Sequence, residues 1–132
     1  MILEHKQNLT INGVPAFTRN LLKKLEPLKI HKDIVFDIRL ALEEALINAI
    51  KYGNKENKNK SVFVKVTAEP ESIEIEIKDE GKGYNYKHIP SPTLNRNLER
   101  LCGRGVFLIK KIMDKVDFLD KGSRIKMVKY LK

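Results

Sequence analysis

Hydrophobic and polar residues alternate along this chain with two different periods, and each period predicts one kind of element. Over residues 15–28, apolar residues recur every three or four positions, which predicts an amphipathic helix that Pro15 can begin. Residues 32–52 are apolar on several sides of a helix, so a second helix is expected to be mostly buried. Gly53-Asn54 then predicts the end of that helix.

A period of two residues predicts the strands. Apolar and polar residues alternate over residues 62–68 and 73–78, and the turn residues between them join the two segments into a hairpin. A third helix is predicted over residues 105–114, and further strands over residues 3–11, 116–119 and 124–131. Helices on one face of a mixed, mainly antiparallel sheet make an α+β two-layer sandwich, here expected as a single domain over residues 1–132.

Composition indicates a folded protein of a reducing compartment. Hydrophobic residues make up 42 % and charged residues 33 % of the 132 residues, which is typical of globular domains. No apolar run is long enough to span a membrane, and the first ten residues lack the apolar segment of a signal peptide. Cys102 is the only cysteine, which excludes an intramolecular disulfide. We therefore expect a cytoplasmic location and no membrane partner.

The chain is strongly basic. Its net charge of +9, from 26 Lys and Arg against 17 Asp and Glu, speeds association with anionic partners but does not identify them. Nucleic acid, an acidic protein and a nucleotide all fit. The lysines are spread along the chain as on a solvated surface, and neither a zinc-ligand spacing nor an aromatic RNA-stacking motif is present. A nucleic-acid-binding module is therefore the weakest functional hypothesis.

Glu44 and Asn48 are the first candidate site residues. Side chains four residues apart project from the same face of a helix, and two polar groups in a largely apolar helix are costly unless they are paired or used. The Asn48 carboxamide oxygen suits a magnesium ion that already carries phosphate oxygens and water. The Glu44 carboxylate can accept a proton as a general base. Alone, such a pair is more typical of a solvent-facing helix edge.

An acidic turn with glycines follows the second strand of the hairpin. Asp79 ends that strand, where its carboxylate can accept a hydrogen bond from an amino group such as N6 of adenine. Gly81 and Gly83 allow positive φ and a close approach of a ligand to the backbone. Alone, the motif is also typical of an ordinary turn, because Asp and Gly are common turn residues.

Gly103-Arg104-Gly105 opens the third helix. Backbone N–H groups at a helix N-terminus favour phosphate, and the Arg104 guanidinium can hold phosphate oxygens. The long polar segment before it, residues 84–102, is expected to close over a bound nucleotide as a lid. In this order, the three motifs predict a nucleotide site.

The three motifs resemble the nucleotide-binding boxes of the GHKL ATPase superfamily, which includes gyrase, histidine kinases and mismatch-repair ATPases. Residues 44–49 resemble its N-box, residues 79–83 its first glycine box and residues 103–109 its second. Nearly all of the chain resembles the small stand-alone anti-sigma-factor serine/threonine kinases of that superfamily. The resemblance implies the Bergerat, histidine-kinase-like ATPase fold, with ATP and Mg²⁺ as ligands.

The resemblance also implies a role for each matched residue. Glu44 is expected to be the general base and Asn48 the magnesium ligand at the nucleotide. The remaining nucleotide-binding residues fall into two groups. The group expected at adenine is Asp79, Gly81, Gly83 and, by a looser match on a late strand, Ser123. The group expected at the phosphates is Gly103, Arg104 and Gly105.

Two hypotheses about function remain besides nucleic-acid binding. The resemblance implies a kinase that phosphorylates a STAS-type anti-anti-sigma protein, sequesters a sigma factor and forms a homodimer, without direct contact with nucleic acid. The alternative is a non-catalytic regulatory protein whose affinity for a partner depends on nucleotide. The proline-containing residues 89–92 differ from the best-known kinases and favour the alternative, whereas Glu44 one turn before Asn48 favours the kinase.

Overall fold

The computed structural model describes residues 1–81 and 103–131 of the chain. These residues form a sheet that is covered on one face by helices. In chain order the elements are β1 (Ile2–Gln7), α1 (Val14–Leu25), α2 (Lys32–Asn48), β2 (Val62–Ala68), β3 (Ser72–Lys78), α3 (Gly103–Ile112), β4 (Lys115–Leu119) and β5 (Arg124–Tyr130). Within the described ranges, no helix is both long enough and apolar enough to cross a membrane.

The strands of the described sheet lie in the order β1-β2-β3-β5-β4, and every neighbouring pair is antiparallel. The predicted α+β two-layer sandwich is confirmed, although this sheet is fully antiparallel rather than mixed. β2 and β3 form the predicted hairpin, with Val66 opposite Ile75. The chain returns through α3 to the far edge as β4, and β5 fills the place between β3 and β4.

The first strand is shorter than predicted. Gln7, the last residue of β1, lies opposite Val62, the first residue of β2. Because β2 does not extend beyond that pair, residues 8–11 leave the sheet, and a 3-10 turn at Ile11–Gly13 leads into α1. The prediction of a strand as far as residue 11 is therefore wrong.

The first two helices end in tighter or wider turns than a regular α-helix. α1 stops at Leu25, and Pro27 lies in a 3-10 turn at Glu26–Leu28, because proline cannot donate the next helical hydrogen bond. α2 ends at Asn48 and continues as a π-helical turn at Ala49–Gly53. The predicted end of the second helix, near residue 52, falls inside this wider turn.

The core lies between the helices and one face of the sheet. Leu42 and Leu46 of α2 are fully buried in it. Alternate residues of the central strands point into the same cluster: Val62, Val64, Val66, Ile73, Ile75, Ile77, Ile125 and Met127. The period of two in the sequence therefore corresponds to the face that packs on the helices.

The opposite face of the sheet carries charges of alternating sign. One row of residues in direct register crosses the described strands from β1 to β4: Glu4, Lys65, Glu76, Lys126 and Asp117. Opposite charges at facing positions of neighbouring strands attract each other. The centre of this face is therefore electrically balanced and does not form a continuous basic surface.

Lys129 of β5 connects the sheet to two helices. Its Nζ donates a hydrogen bond to the Ile112 carbonyl, 2.6 Å away at the end of α3, and lies 3.2 Å from Asp37 Oδ2 of α2. The Lys129 side chain is 15 % exposed, so water screens these contacts only in part. A cation is also favoured at a helix C-terminus. Lys129 therefore helps to hold α3 beside α2.

We expect Lys129→Met to lower the free energy of unfolding by about 1–3 kcal/mol, because hydrogen bonds to charged groups contribute about that much. Lys126→Met is the matched control on the same strand. The Lys126 side chain is 39 % exposed and its Nζ lies 3.4 Å from Glu74 Oε1, so we expect a loss below about 1 kcal/mol. Urea unfolding of both variants gives the comparison, and equal losses would contradict the role of Lys129.

Candidate functional site

Two polar side chains of α2 lie against the first turn of α3. Glu44 and Asn48 are one turn apart on α2, and Asn48 is only 6 % exposed. A Cβ atom added to Gly105 would lie 2.8 Å from Glu44 Oε2 and 3.2 Å from Asn48 Nδ2. The structure therefore brings together residues of two predicted motifs, which are far apart in the chain.

The first turn of α3 places backbone donors beside these side chains. N–H groups of the first helical residues have no acceptor within the helix, and a helix N-terminus favours negative charge. A phosphate next to Gly105 would lie close to both these N–H groups and Asn48. A side chain at position 105 would press on the Glu44 carboxylate and the Asn48 amide, so glycine lets the first turn of α3 lie directly against them.

The residues around Gly105 fit a magnesium ion that arrives with a nucleotide. Among the described residues, no group of three or more His, Cys, Asp or Glu side chains could hold a metal ion by itself. Asn48 offers one neutral oxygen and Glu44 a carboxylate. Magnesium is commonly bound by one or two such oxygens together with phosphate and water. This donor set therefore suits a metal that needs phosphate oxygens to complete its coordination.

Asp79 forms a second group of polar residues at one end of the sheet. It follows β3 directly and is 4 % exposed. Its Oδ1 accepts a hydrogen bond from the Gly81 N–H at 2.7 Å, and its own N–H donates to the Ser123 carbonyl at 2.9 Å. Ser123 is also buried, and its Oγ donates to the Asp120 carbonyl at 2.9 Å. The structure thus places Asp79, Gly81 and Ser123 side by side.

Burial raises the pKa of Asp79 from 3.8 to about 6. Desolvation is the largest cause. It outweighs the hydrogen bond from Gly81 and the charge of Lys60, which both stabilise the carboxylate and lower the pKa. At pH 7 the Asp79 carboxyl group is therefore mostly ionised, in surroundings that disfavour its charge. A carboxyl group perturbed in this way is typical of functional sites.

Gly53 and Gly81 allow the end of the π-helical turn to touch the turn at Asp79. A Cβ atom at Gly53 would lie 2.1 Å from Asp79 Oδ2, and one at Gly81 would lie 1.9 Å from the Gly53 carbonyl oxygen. Among the described glycines, only Gly122 has a positive φ, at 95°. Gly81 therefore does not use the positive φ that a glycine allows. The close contact between backbones requires glycine at both positions.

The π-helical turn joins the two groups into one site. It covers Ala49–Gly53, begins directly after Asn48 and ends at the residue that packs on Asp79. Such wide turns occur frequently at functional sites. Asn48, expected at the phosphates, and Asp79, expected at adenine, therefore lie at the two ends of one short segment.

The structure describes the remaining predicted site residues only in part. α3 begins at Gly103, two residues before its predicted start, so Gly103 and Arg104 form its first turn. The side chain of Arg104 lies outside the described part of the chain. Gly83 and the predicted lid at residues 84–102 also lie outside the described residues. Their roles stay predictions.

Two further residues belong to this site although their sequence pattern indicates another role. Gly53 and Asn54 were predicted only as a helix end, and both are buried. Asn54 Oδ1 accepts a hydrogen bond from the Glu80 N–H at 2.7 Å, beside Asp79. Their signal in the sequence is a position shortly after residues 44–49, beyond Ile50, Lys51 and Tyr52. A Gly-Asn pair that only ends a helix looks the same in a sequence as a Gly-Asn pair that also belongs to a site. The pattern alone therefore does not distinguish a helix end from a site residue.

Comparison with known protein families identifies the domain. The model of the histidine kinase-like ATPase domain matches residues 11–129 of the chain. The match includes every predicted site residue and supports ATP as the ligand. A comparison with curated proteins gives no match.

We expect Asp79→Asn to stabilise the nucleotide-free protein and to weaken ATP binding. One pKa unit corresponds to about 1.4 kcal/mol, so the ionised Asp79 lowers the free energy of unfolding by about 3 kcal/mol at pH 7. An asparagine keeps an oxygen for the Gly81 N–H but turns an N–H donor toward the adenine amino group. Urea unfolding and calorimetric titration of ATP measure the two effects.

The pH dependence provides the control for Asp79→Asn. The folded pKa is raised, so the folded protein binds more protons than the unfolded chain between about pH 4 and pH 6. The wild type should lose stability relative to Asp79→Asn as the pH rises through this window, and the two should be equally stable below it. A variant that is less stable than the wild type at pH 7 would contradict the raised pKa.

We also expect Gly53→Ala to reduce ATP affinity by at least about tenfold, because the new methyl group must displace the buried Asp79 carboxylate. Gly13→Ala is the control. A Cβ atom there would lie 3.3 Å from Leu9 Cδ1 and 3.5 Å from Thr10 Oγ1, neither of which is a residue of the proposed ATP site. Calorimetric titration should give wild-type affinity for the control. Wild-type affinity in Gly53→Ala would show that the contact with Asp79 does not matter for binding.

Proposed function

Because the chain belongs to the histidine kinase-like ATPase domain family, we propose that it is an ATP-binding anti-sigma factor and protein serine/threonine kinase. Its substrate is a STAS-type anti-anti-sigma protein, and it sequesters a sigma factor in the cytoplasm. The observation that supports this proposal best is the meeting of Glu44 and Asn48 with Gly105 at the start of α3. A site for ATP alone needs a magnesium ligand and phosphate donors, whereas Glu44 adds a proton acceptor.

ATP binds across the two groups of residues that the π-helical turn connects. Asp79 accepts a hydrogen bond from the adenine amino group, and the first turn of α3 receives the phosphates. Asn48, together with phosphate oxygens and water, would hold a magnesium ion, which would supply positive charge at the phosphates. Glu44 lies beside Gly105, where the phosphates are proposed to bind. This position suits a role in the transfer step.

In the transfer step, the hydroxyl oxygen of a partner serine or threonine attacks the γ-phosphorus of ATP. The bond between that phosphorus and the β–γ bridging oxygen breaks, and ADP leaves. Glu44 takes the proton of the attacking hydroxyl, so the charges balance. The backbone N–H groups at the start of α3 stabilise the charge on the transferred phosphate.

Charge supports a protein partner rather than nucleic acid. The net charge of +9 favours association with acidic proteins. The central row of the open face alternates in sign from Glu4 to Asp117, so this face offers no basic track for a phosphate backbone. The anti-sigma role, the STAS-type substrate and a homodimer follow from the resemblance of the motifs to that kinase family.

We expect Glu44→Gln to bind ATP within about threefold of the wild-type affinity and to lose at least about a hundredfold in phosphate transfer, which is the usual contribution of a general base. Each STAS-type protein encoded in the same genome is incubated with ATP and the chain. Mass spectrometry then measures the phosphorylated partner, and calorimetric titration measures ATP binding.

Glu43→Gln is the matched control for this experiment. Glu43 is the preceding residue, and its Oε1 lies 3.5 Å from Arg39 Nε one turn earlier on α2. It should keep both ATP binding and transfer, whereas Asn48→Ala should lose ATP binding. Transfer by Glu44→Gln at the wild-type rate would remove Glu44 from the mechanism. ATP binding without transfer to any partner in the wild type would favour the non-catalytic regulatory protein.

A further inference from the structure

Asn54 is a buried asparagine whose polar atoms connect three segments of the chain. It is 3 % exposed. Its Nδ2 donates to the Ser61 carbonyl at 3.0 Å, its Oδ1 accepts from the Glu80 N–H at 2.7 Å, and its own N–H donates to the Ala49 carbonyl at 2.8 Å. The end of the π-helical turn, the start of β2 and the turn after β3 therefore meet at one side chain.

The hydrogen bond to Glu80 acts on the turn that carries Asp79. Glu80 lies between Asp79, which is expected to bind adenine, and Gly81, whose N–H is bonded to Asp79 Oδ1. Asn54 thus holds the backbone at Glu80 from outside the turn. Gly81 holds the neighbouring Asp79 carboxylate from inside the turn. The Glu80 carboxylate also accepts a hydrogen bond from the Ser61 N–H, so the turn and the start of β2 are joined twice.

An asparagine suits this position because its amide has a donor and an acceptor at opposite corners. The Ser61 carbonyl needs a donor, and the Glu80 N–H needs an acceptor. Loss of the side chain would leave both backbone groups without their partner in a partly buried place, which is costly. The turn would then be free to move relative to Gly53, the residue on which Asp79 packs.

We propose that Asn54 is a positioning residue that determines the preference of this site for adenine over guanine. The inference rests on the proposed nucleotide site. Adenine presents an amino group to the Asp79 carboxylate, whereas guanine presents a carbonyl oxygen at the corresponding position, which the carboxylate repels. This discrimination requires that Asp79 stay in place, and Asn54 holds the adjoining backbone.

The test compares the affinities of ATP and GTP in the wild type and in Asn54→Ala. A site that hydrogen-bonds its ligand through a fixed group discriminates strongly, so the variant should lose at least about tenfold of the ATP-to-GTP preference. Most of the loss should come from weaker ATP binding. Calorimetric titration with magnesium present, at a temperature where circular dichroism shows the variant folded, gives both dissociation constants.

Asn57→Ala is the matched control. Asn57 lies in the same loop, is exposed, and its Oδ1 accepts a hydrogen bond from the Asn59 N–H at 2.9 Å without touching the turn after β3. It should keep the wild-type preference for ATP. If Asn54→Ala lowers the melting temperature but keeps the ATP-to-GTP ratio, Asn54 serves stability alone and the proposal is overturned.

Amide hydrogen exchange tests the same contact without a variant or a nucleotide. Glu80 is an exposed residue, yet its N–H is bonded to the buried Asn54, so its exchange in the nucleotide-free wild type should be at least about tenfold slower than in an unstructured chain. Exchange at the unprotected rate would overturn the proposal even if Asn54→Ala does not fold. In a folded Asn54→Ala variant, the same amide should exchange faster.

The two proposals fail in different ways. A wild type that binds neither ATP nor GTP overturns the proposed function and the specificity role with it, whatever Glu80 exchange shows. A wild type that prefers ATP, together with an Asn54→Ala variant of the same preference, overturns only the role of Asn54. Loss of the preference in Asn54→Ala, with retention in Asn57→Ala, supports both.

Discussion

The contact between Gly53 and the turn at Asp79 is the constraint on which the rest of the site depends. Two backbone segments approach so closely there that a methyl group on either glycine would overlap with its neighbour. This approach presses the end of α2 and its π-helical turn against the end of β3. Asn48 and Asp79 consequently take positions at the two ends of one site, although 31 residues of sequence numbering separate them.

The site contains buried polar groups, and the ionised Asp79 is one that lowers the stability of the fold. Asp79 is buried although desolvation raises its pKa to about 6, and Asn48 is a nearly buried polar residue in an otherwise apolar stretch of α2. Polar groups of this kind lower stability unless they are satisfied. The surrounding core of fully buried aliphatic side chains offsets that cost. The pattern is typical of a site where local stability has been given up for binding.

The two faces of the sheet differ in composition: one is apolar and packs on the helices, and the other is charged. The face under the helices is apolar and holds α2 and α3 in place, with Lys129 connecting the end of α3 to α2 and the sheet. The open face carries a row of paired residues whose charges alternate in sign. Because the helices lie on one side only, the end of α2, the start of α3 and the turn after β3 can come together at one end of the sheet, where the candidate site lies.

The sequence by itself determined the elements, because hydrophobic periodicity records which side of a helix or strand is buried. Residues 73–78 alternate strictly, and the strand found there begins one residue earlier and ends at the same residue. The sequence also marked Glu44, Asn48, Asp79 and Gly105 as candidate site residues, since each stands in a motif with a chemical reason. Tertiary structure alone decided where β1 ends, because a strand needs a partner and β2 begins at Val62. It also decided that Gly53, Gly81 and Asn54 belong together. A glycine in the sequence shows only that a side chain is missing. The reason why glycine is required, a close contact with another segment, exists only in the folded protein.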